Sequence, residues 1–209
     1  MAITTKDLAQ LCGVSRTTIH RALNGTGRIK PETKEMILQV AKEHGYRPDL
    51  LATGLAKGQT YNIGVVVLDV KNRYFAQMLS TISTEAYARG YGVNITLHGG
   101  DAGTEREQLT RLADYRVDGI ILSSVNEGEA YRTFLESLHR PIVSVDNRIA
   151  DGIPFVGIDQ RAAVREAVQR AAEKDYERIV FVCPPLDTKN RQNLYVHKER
   201  LLGYEEEMK

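Results

Sequence analysis

Apolar positions in the first sixty residues recur with a helical period. Thr4 and Thr5 precede Lys6-Asp7-Leu8-Ala9-Gln10-Leu11, and Thr4 with Asp7 has the spacing of a capping box, with Asp in place of Glu. Gly13 breaks this helix, and Ser15 is placed to cap a second one over Arg16–Leu23. Leu8, Val14, Ile19 and Leu23 give the pair a shared apolar face. Pro31 opens a third helix and Gly45 closes it, with Met36, Ile37, Val40 and Ala41 as its apolar stripe. Arg47-Pro48 then forces an extended stretch. Around Leu51–Ala56 a short helix is predicted, weakened by Gly54. It falls below the roughly 12–15 residues an isolated helix needs in water, so it calls for a partner or a groove.

From Asn62 the period changes. Ile63–Leu68 is a continuous apolar run, as in a strand covered on both faces. A helix follows through Phe75, Met78, Leu79, Ile82 and Ala86. Next come strand Val93–Leu97, helix Thr104–Tyr115, strand Gly119–Ser123, helix Glu129–Leu138 and strand Ile142–Val145. This alternation predicts a parallel, doubly wound α/β sheet. Ile158-Asp159 is expected to end a strand crossing out of that sheet, with helix Arg161–Glu173 and strand Ile179–Cys183 starting a second one. The expected organisation is an all-α domain over 1–47, a linker with its hinge helix over 48–60, a first α/β lobe over 61–160 and the start of a second lobe over 161–209.

Charge sharpens this division. The overall net charge is +1, but residues 1–60 carry +4 and residues 61–209 carry −3, as when a basic nucleic-acid module is joined to a domain with another task. The two cysteines, Cys12 and Cys183, lie in different modules and form no metal-ligand spacing, so neither a disulfide nor a zinc site is expected. The chain shows no secretion leader and no apolar run of the ~18 residues needed to span a membrane, so the expectation is a soluble cytoplasmic protein, nucleoid-associated and without membrane partners.

The first two helices have the ordered features of a helix-turn-helix: small Ala9 where the helices meet, Gly13 in the turn, the Ser15 cap and branched Ile19 facing the first helix. Arg16, Thr17, Thr18, His20 and Arg21 occupy the opposite face of the second helix. Taken singly they fit a helical hairpin with a solvated polar face; the ordered set points to DNA. The first turn of a recognition helix meets base edges, which assigns base contacts to Arg16 and Thr17, joined by Arg21 and Thr5. Ser15, Thr18, His20 and Asn24 are placed to contact phosphates.

Four stretches carry a resemblance to the lactose-repressor (LacI/GalR) family: Thr4–Ala9 through Gly13-Val14-Ser15, Arg21–Gly25, Gly45-Tyr46-Arg47-Pro48, and Val117–Ile121. It runs over essentially the whole chain. It implies a homodimer, with higher oligomers open, that binds double-stranded operator DNA. Leu55 would wedge into a minor-groove step with Ala52 packed near the groove floor, and Lys57 would contact phosphate. The second domain would be α/β and periplasmic-binding-protein-like, with a small effector such as a sugar or a nucleoside or purine in its cleft. Lys30 departs from the family's usual Ser-type cap, Arg73 from a frequent Pro, and Asp175-Tyr176 from a usual Gly-His.

Ligands of such sheets sit beyond the carboxyl ends of the strands. Those ends carry Asn72, Tyr74, Phe75, Asp146, Asn147 and Arg148, a mixture of amide, carboxylate, guanidinium and ring that suits a sugar or nucleobase. Asn72, Tyr74, Phe75 and Asp146 match effector positions of the family, and Arg200 matches one on the far side of the cleft. Asp146 fits equally a helix cap or loop salt bridge, and Tyr74 fits core packing. His98-Gly99-Gly100-Asp101 reads as a solvated turn. No nucleophile elbow, phosphate loop or metalloprotease motif is present, so neither catalysis nor a metal or cofactor is expected. The chain ends at Lys209, before most of the family's second lobe. The expectation is therefore an incomplete lobe with a bare strand edge: a piece of a longer protein, or one without inducer response. A stand-alone sugar-binding module without a DNA role is the competing expectation.

Overall fold

The computed structural model describes residues 3–47, 54, 58–186 and 192–209. The chain divides into two compact units, Met1–Ala56 and Lys57–Lys209. Except for Gly54, the expected hinge helix lies outside the described residues, and Ala52, Leu55 and Lys57 with it.

The first unit contains helices α1 (Thr5–Cys12), α2 (Arg16–Asn24) and α3 (Pro31–Glu43). Thr4 and Asp7 form the predicted reciprocal capping box. Gly13 takes φ +64°, which lets the chain turn at once into Ser15, whose hydroxyl accepts from the Thr18 amide. Leu8, Ile19, Ala22, Ile37 and Ala41 form the buried core, with Ala9, Val14 and Leu23 packed at its margin. Lys30 precedes α3 without a side-chain cap, and Pro31 occupies the first turn.

In the second unit β1 (Asn62–Val67), β2 (Gly92–Leu97), β3 (Gly119–Leu122), β4 (Ile142–Val145) and β5 (Phe155–Val156) form one sheet in the order β2-β1-β3-β4-β5. Every pairing is parallel. Helices α4 (Arg73–Ala88), α5 (Ala102–Asp114) and α6 (Glu129–Ser137) connect the strands. Val66 on β1, with Ile120 and Leu122, packs against Leu109, Leu112, Tyr131 and Leu135 of α5 and α6. Its neighbours Val65 and Val67 turn the other way onto Phe75 and Leu79 of α4. Because the helices cover both faces, β1 from Ile63 on is apolar rather than alternating. The chain leaves β1 for β2 on one side and returns to β3 on the other, so the carboxyl ends of β1 and β3 form a topological switch point.

Two expectations fail beyond β4. The segment before Ile158-Asp159 does not cross out of the sheet: β5 is its edge strand, and Asp159 caps α7 (Gln160–Ala172) by accepting from the Ala162 amide. Ile179–Cys183 forms no strand, and its Val180 and Val182 are 80% and 87% exposed. A strand exists only where another backbone takes its amides and carbonyls, and no described strand adjoins this segment. It is held instead by α8 (Tyr195–Glu207): Tyr204 stacks on Phe181 and donates its hydroxyl hydrogen to the Ile179 carbonyl at 2.8 Å. Helices α7 and α8 meet at Gly203, where a Cβ would lie 2.4 Å from the Arg161 carbonyl oxygen.

Candidate DNA-reading face and ligand cleft

Helix α2 turns Ile19 and Ala22 into the core and leaves Arg16, Thr17, His20, Arg21 and Asn24 exposed and Thr18 half-buried, as is Thr5 at the start of α1. It contains no carboxylate, so its two guanidinium groups give it a positive exposed face. The Ser15 and Thr18 hydroxyls lie 2.9 Å apart, and the Asn24 amide donates to the His20 carbonyl. Each hydroxyl retains hydrogen-bonding capacity for a further partner. The Arg21 stem lies over Gly27, where an added Cβ would come 3.2 Å from Cδ.

In the second unit the switch point opens into a cleft of about 380 Å³. Asn72, Tyr74, Phe75, Asp146, Asn147 and Arg200 line it. Asp69 turns the loop after β1 by accepting from the Lys71 and Asn72 amides, and Asn72 in turn caps α4 by accepting from the Tyr74 amide. Arg73 is the first residue of α4, a position where Pro and other residues are equally accommodated. Phe75 is buried in the core while Tyr74, edge-on to it at 5.3 Å, is 41% exposed. Asp146 has φ +64° and its carboxylate makes no hydrogen bond or ion pair with a described residue. Burial raises its pKa against the opposing pull of Arg200 and His197. Burial also raises the Tyr74 pKa, helped by Asp146, and lowers that of His197, helped by Arg200. Arg200 donates to the Gln160 side chain at 2.8 Å. Arg148 does not line the cleft; its guanidinium pairs with Asp151 at 3.5 Å, because the chain has turned past the strand end by that residue.

The His98–Asp101 segment turns at Gly99 and Gly100, with Gly99 and Asp101 exposed as expected of a solvated turn, but His98 departs from that reading. The amides of His98 and Gly99 bond the Val67 and Leu68 carbonyls, which carries the end of β2 alongside β1 and over the cleft floor. His98 is 2% exposed. Its Nδ1 accepts from the Gly100 amide at 3.1 Å, so Nε2 carries the hydrogen and donates to the Ser123 carbonyl at 3.0 Å. Beneath lies Glu105, 0% exposed, accepting from the Ser124 hydroxyl, the Val125 amide, the Asn126 side chain and the Tyr131 hydroxyl. It holds the loop after β3 in place. Gln160, Gln192, Asn193 and His197 also line the cleft. The strand-end rule could have flagged His98; the other four have no periodic or motif signal.

Residues 4–49 match the model of bacterial regulatory proteins of the lacI family. Residues 60–209 match that of periplasmic binding proteins and the sugar binding domain of the LacI family. Catabolite control protein A of Staphylococcus xylosus is 30% identical over 210 aligned residues, covering 100% of this chain and 64% of the relative. A CelR–cellobiose complex is 26% identical with TM-score 0.59, covering 99% of this chain and 61% of the other. The lac repressor dimer bound to operator and an anti-inducer shares the fold, at 20% identity and TM-score 0.85, with 100% of this chain and 62% of that one covered. The chain thus spans about three fifths of the length of the curated relatives it matches. With both of its units matched by LacI models, the chain belongs to the LacI family of bacterial regulatory proteins.

Proposed function

We propose that this protein is a DNA-binding transcription regulator, acting as a repressor without catalysing a reaction, that binds a palindromic operator as a homodimer and responds to a small effector. The observation that carries this reading is the exposed, carboxylate-free face of α2 in a chain that also holds a polar cleft at the switch point of an α/β sheet. Arg16, Thr17, Arg21 and Thr5 contact base edges; Ser15, Thr18, His20, Asn24 and Lys57 contact phosphates; Leu55 and Ala52 enter the minor groove. The effector is a sugar or sugar derivative, or a nucleoside, held by Asn72, Asp146, Asn147 and Arg200 against the faces of Tyr74 and Phe75. No helix among the described residues is long and apolar enough to cross a membrane, in keeping with a cytoplasmic, nucleoid-associated role.

Selection from a randomised palindromic DNA library at low salt tests the DNA half. Enrichment of one two-fold symmetric sequence is expected, and its absence overturns the reading. For the cleft, cellobiose is a first probe, since it occupies a structurally similar regulator.

A further inference from the structure

The cleft has two walls. Helix α8 brings Val196, His197 and Arg200 to one, and the loops after β1, β3 and β4 form the other. Asn193 bonds to both of them. Asn193 is 5% exposed and precedes α8 by two residues. Its backbone amide donates to the Val125 carbonyl at 2.7 Å. Its Nδ2 donates to the Arg148 carbonyl at 2.8 Å and to the Asn126 carbonyl at 3.3 Å. Its Oδ1 accepts from the Tyr195 amide, the first of α8, at 3.1 Å. Carbonyls only accept and amides only donate, so the orientation of this side chain is fixed. The next amide, that of Val196, is taken from the opposite wall by Asn147 Oδ1 at 3.3 Å. Two amides at the start of α8 that lack intrahelical partners are thereby satisfied, and in the same contacts α8 is drawn against the loops that carry Asp146 and Asn147.

We propose that Asn193 is a positioning residue that sets the spacing between the two walls of the cleft, and through it the affinity for ligand; the second half rests on the reading of the cleft as a ligand site. Other residues do not reproduce the arrangement. Aspartate keeps the acceptor for Tyr195 but turns a second acceptor toward two carbonyls. Serine keeps an acceptor but is too short to reach the Arg148 carbonyl.

The test is a distance measurement by double electron–electron resonance on the full chain with Cys12→Ser and Cys183→Ser. Spin labels are placed through Thr110→Cys on α5 and Glu205→Cys on α8, both exposed positions. The chain with Asn193 intact is expected to give one narrow distribution. Asn193→Asp at about pH 7.5, where an ordinary carboxyl is ionised, loses it; near pH 4 the protonated acid donates to the Arg148 carbonyl and the narrow distribution returns. Asn193→Ser stays broad at both values, and it keeps the proposal testable should Asn193→Asp fail to fold. A residue that served only folding would lower the unfolding midpoint without broadening the distances in the folded chain. A narrow neutral-pH distribution in both variants, or no recovery in a folded Asn193→Asp chain, overturns the proposal. Calorimetric titration with cellobiose separates the two readings: at least tenfold weaker binding in Asn193→Asp at neutral pH supports both halves. Distances that respond while cellobiose binds no chain uphold the spacing role and overturn cellobiose as the occupant of the cleft.

Discussion

Glu105→Gln is the substitution whose cost the structure specifies most fully. Oε1 of the glutamate accepts from the Ser124 hydroxyl at 2.6 Å, the Asn126 side chain at 2.9 Å and the Tyr131 hydroxyl; Oε2 accepts from the Val125 amide at 2.8 Å. Glutamine has the same shape and one oxygen. Its best placement keeps that oxygen among the three donors and sets its NH₂ against the Val125 N–H, leaving donors facing each other in a site with no solvent. Burying an unsatisfied donor costs about 1–3 kcal/mol, and two are created, partly relieved by movement of the loop, so a loss of roughly 2–4 kcal/mol is expected. In a chain of this size that is a fall in Tm of about 4–16 °C. The neighbouring Glu107 is exposed, and Glu107→Gln should stay within about 0.5 kcal/mol of the unsubstituted chain. Urea unfolding followed by tyrosine fluorescence is the assay. Nine of the ten tyrosines lie at position 61 or beyond, so the signal reports the α/β unit. Equal midpoints for Glu105→Gln and Glu107→Gln would refute the reasoning.

Further outcomes follow from other positions. Because burial raises the Asp146 pKa, the folded chain binds that proton more tightly than the unfolded one, and its carboxylate costs stability as pH rises through the raised value. Asp146→Asn, which tolerates the same positive φ, should therefore be the more stable chain at neutral pH. Its advantage should vanish below the ordinary carboxyl pKa of about 4; a gap constant with pH in thermal melts would contradict the assignment. Gly13→Ala meets no atom within 4 Å but must hold φ +64°, so only backbone strain of roughly 1–2 kcal/mol is expected, visible as earlier loss of helical circular dichroism. Arg16→Ala should weaken binding to the selected DNA by about 1–3 kcal/mol and relax its sequence preference, whereas Lys57→Ala should weaken all sequences alike and lower the salt slope by about 1. Gel-shift titrations over a salt series distinguish the two.

The helical unit was legible because its information is local. Thr4, Asp7, Gly13 and Ser15 act within a turn of where they stand, and Ile19, Ala22 and Leu23 on one helix and Ile37, Val40 and Ala41 on another repeat with the helical period. Strand β1 was legible because burial on both faces makes it an apolar run from Ile63 on, and β2 to β4 because short runs rich in branched apolar residues alternate with helical segments. What failed was whatever needs a partner distant in the chain. Ile179–Cys183 has the composition of a strand, but pairing decides a strand, and no strand among the described residues adjoins it. Asn147 and Arg148 adjoin in sequence, yet one faces the cleft and the other pairs with Asp151, because a loop's direction is set by what it packs against. His98 lies among glycines, and only the parallel register of β2 beside β1 lays it over the cleft floor. Asn193 shows no sequence signal because its role is defined by three carbonyls, of Val125, Asn126 and Arg148, that folding alone assembles around it. Sequence by itself determined the elements and the two-part plan, since propensity, capping and burial period act over a few residues. Tertiary structure decided which polar groups face one another, since hydrogen-bond geometry across the fold depends on atoms far apart in the chain.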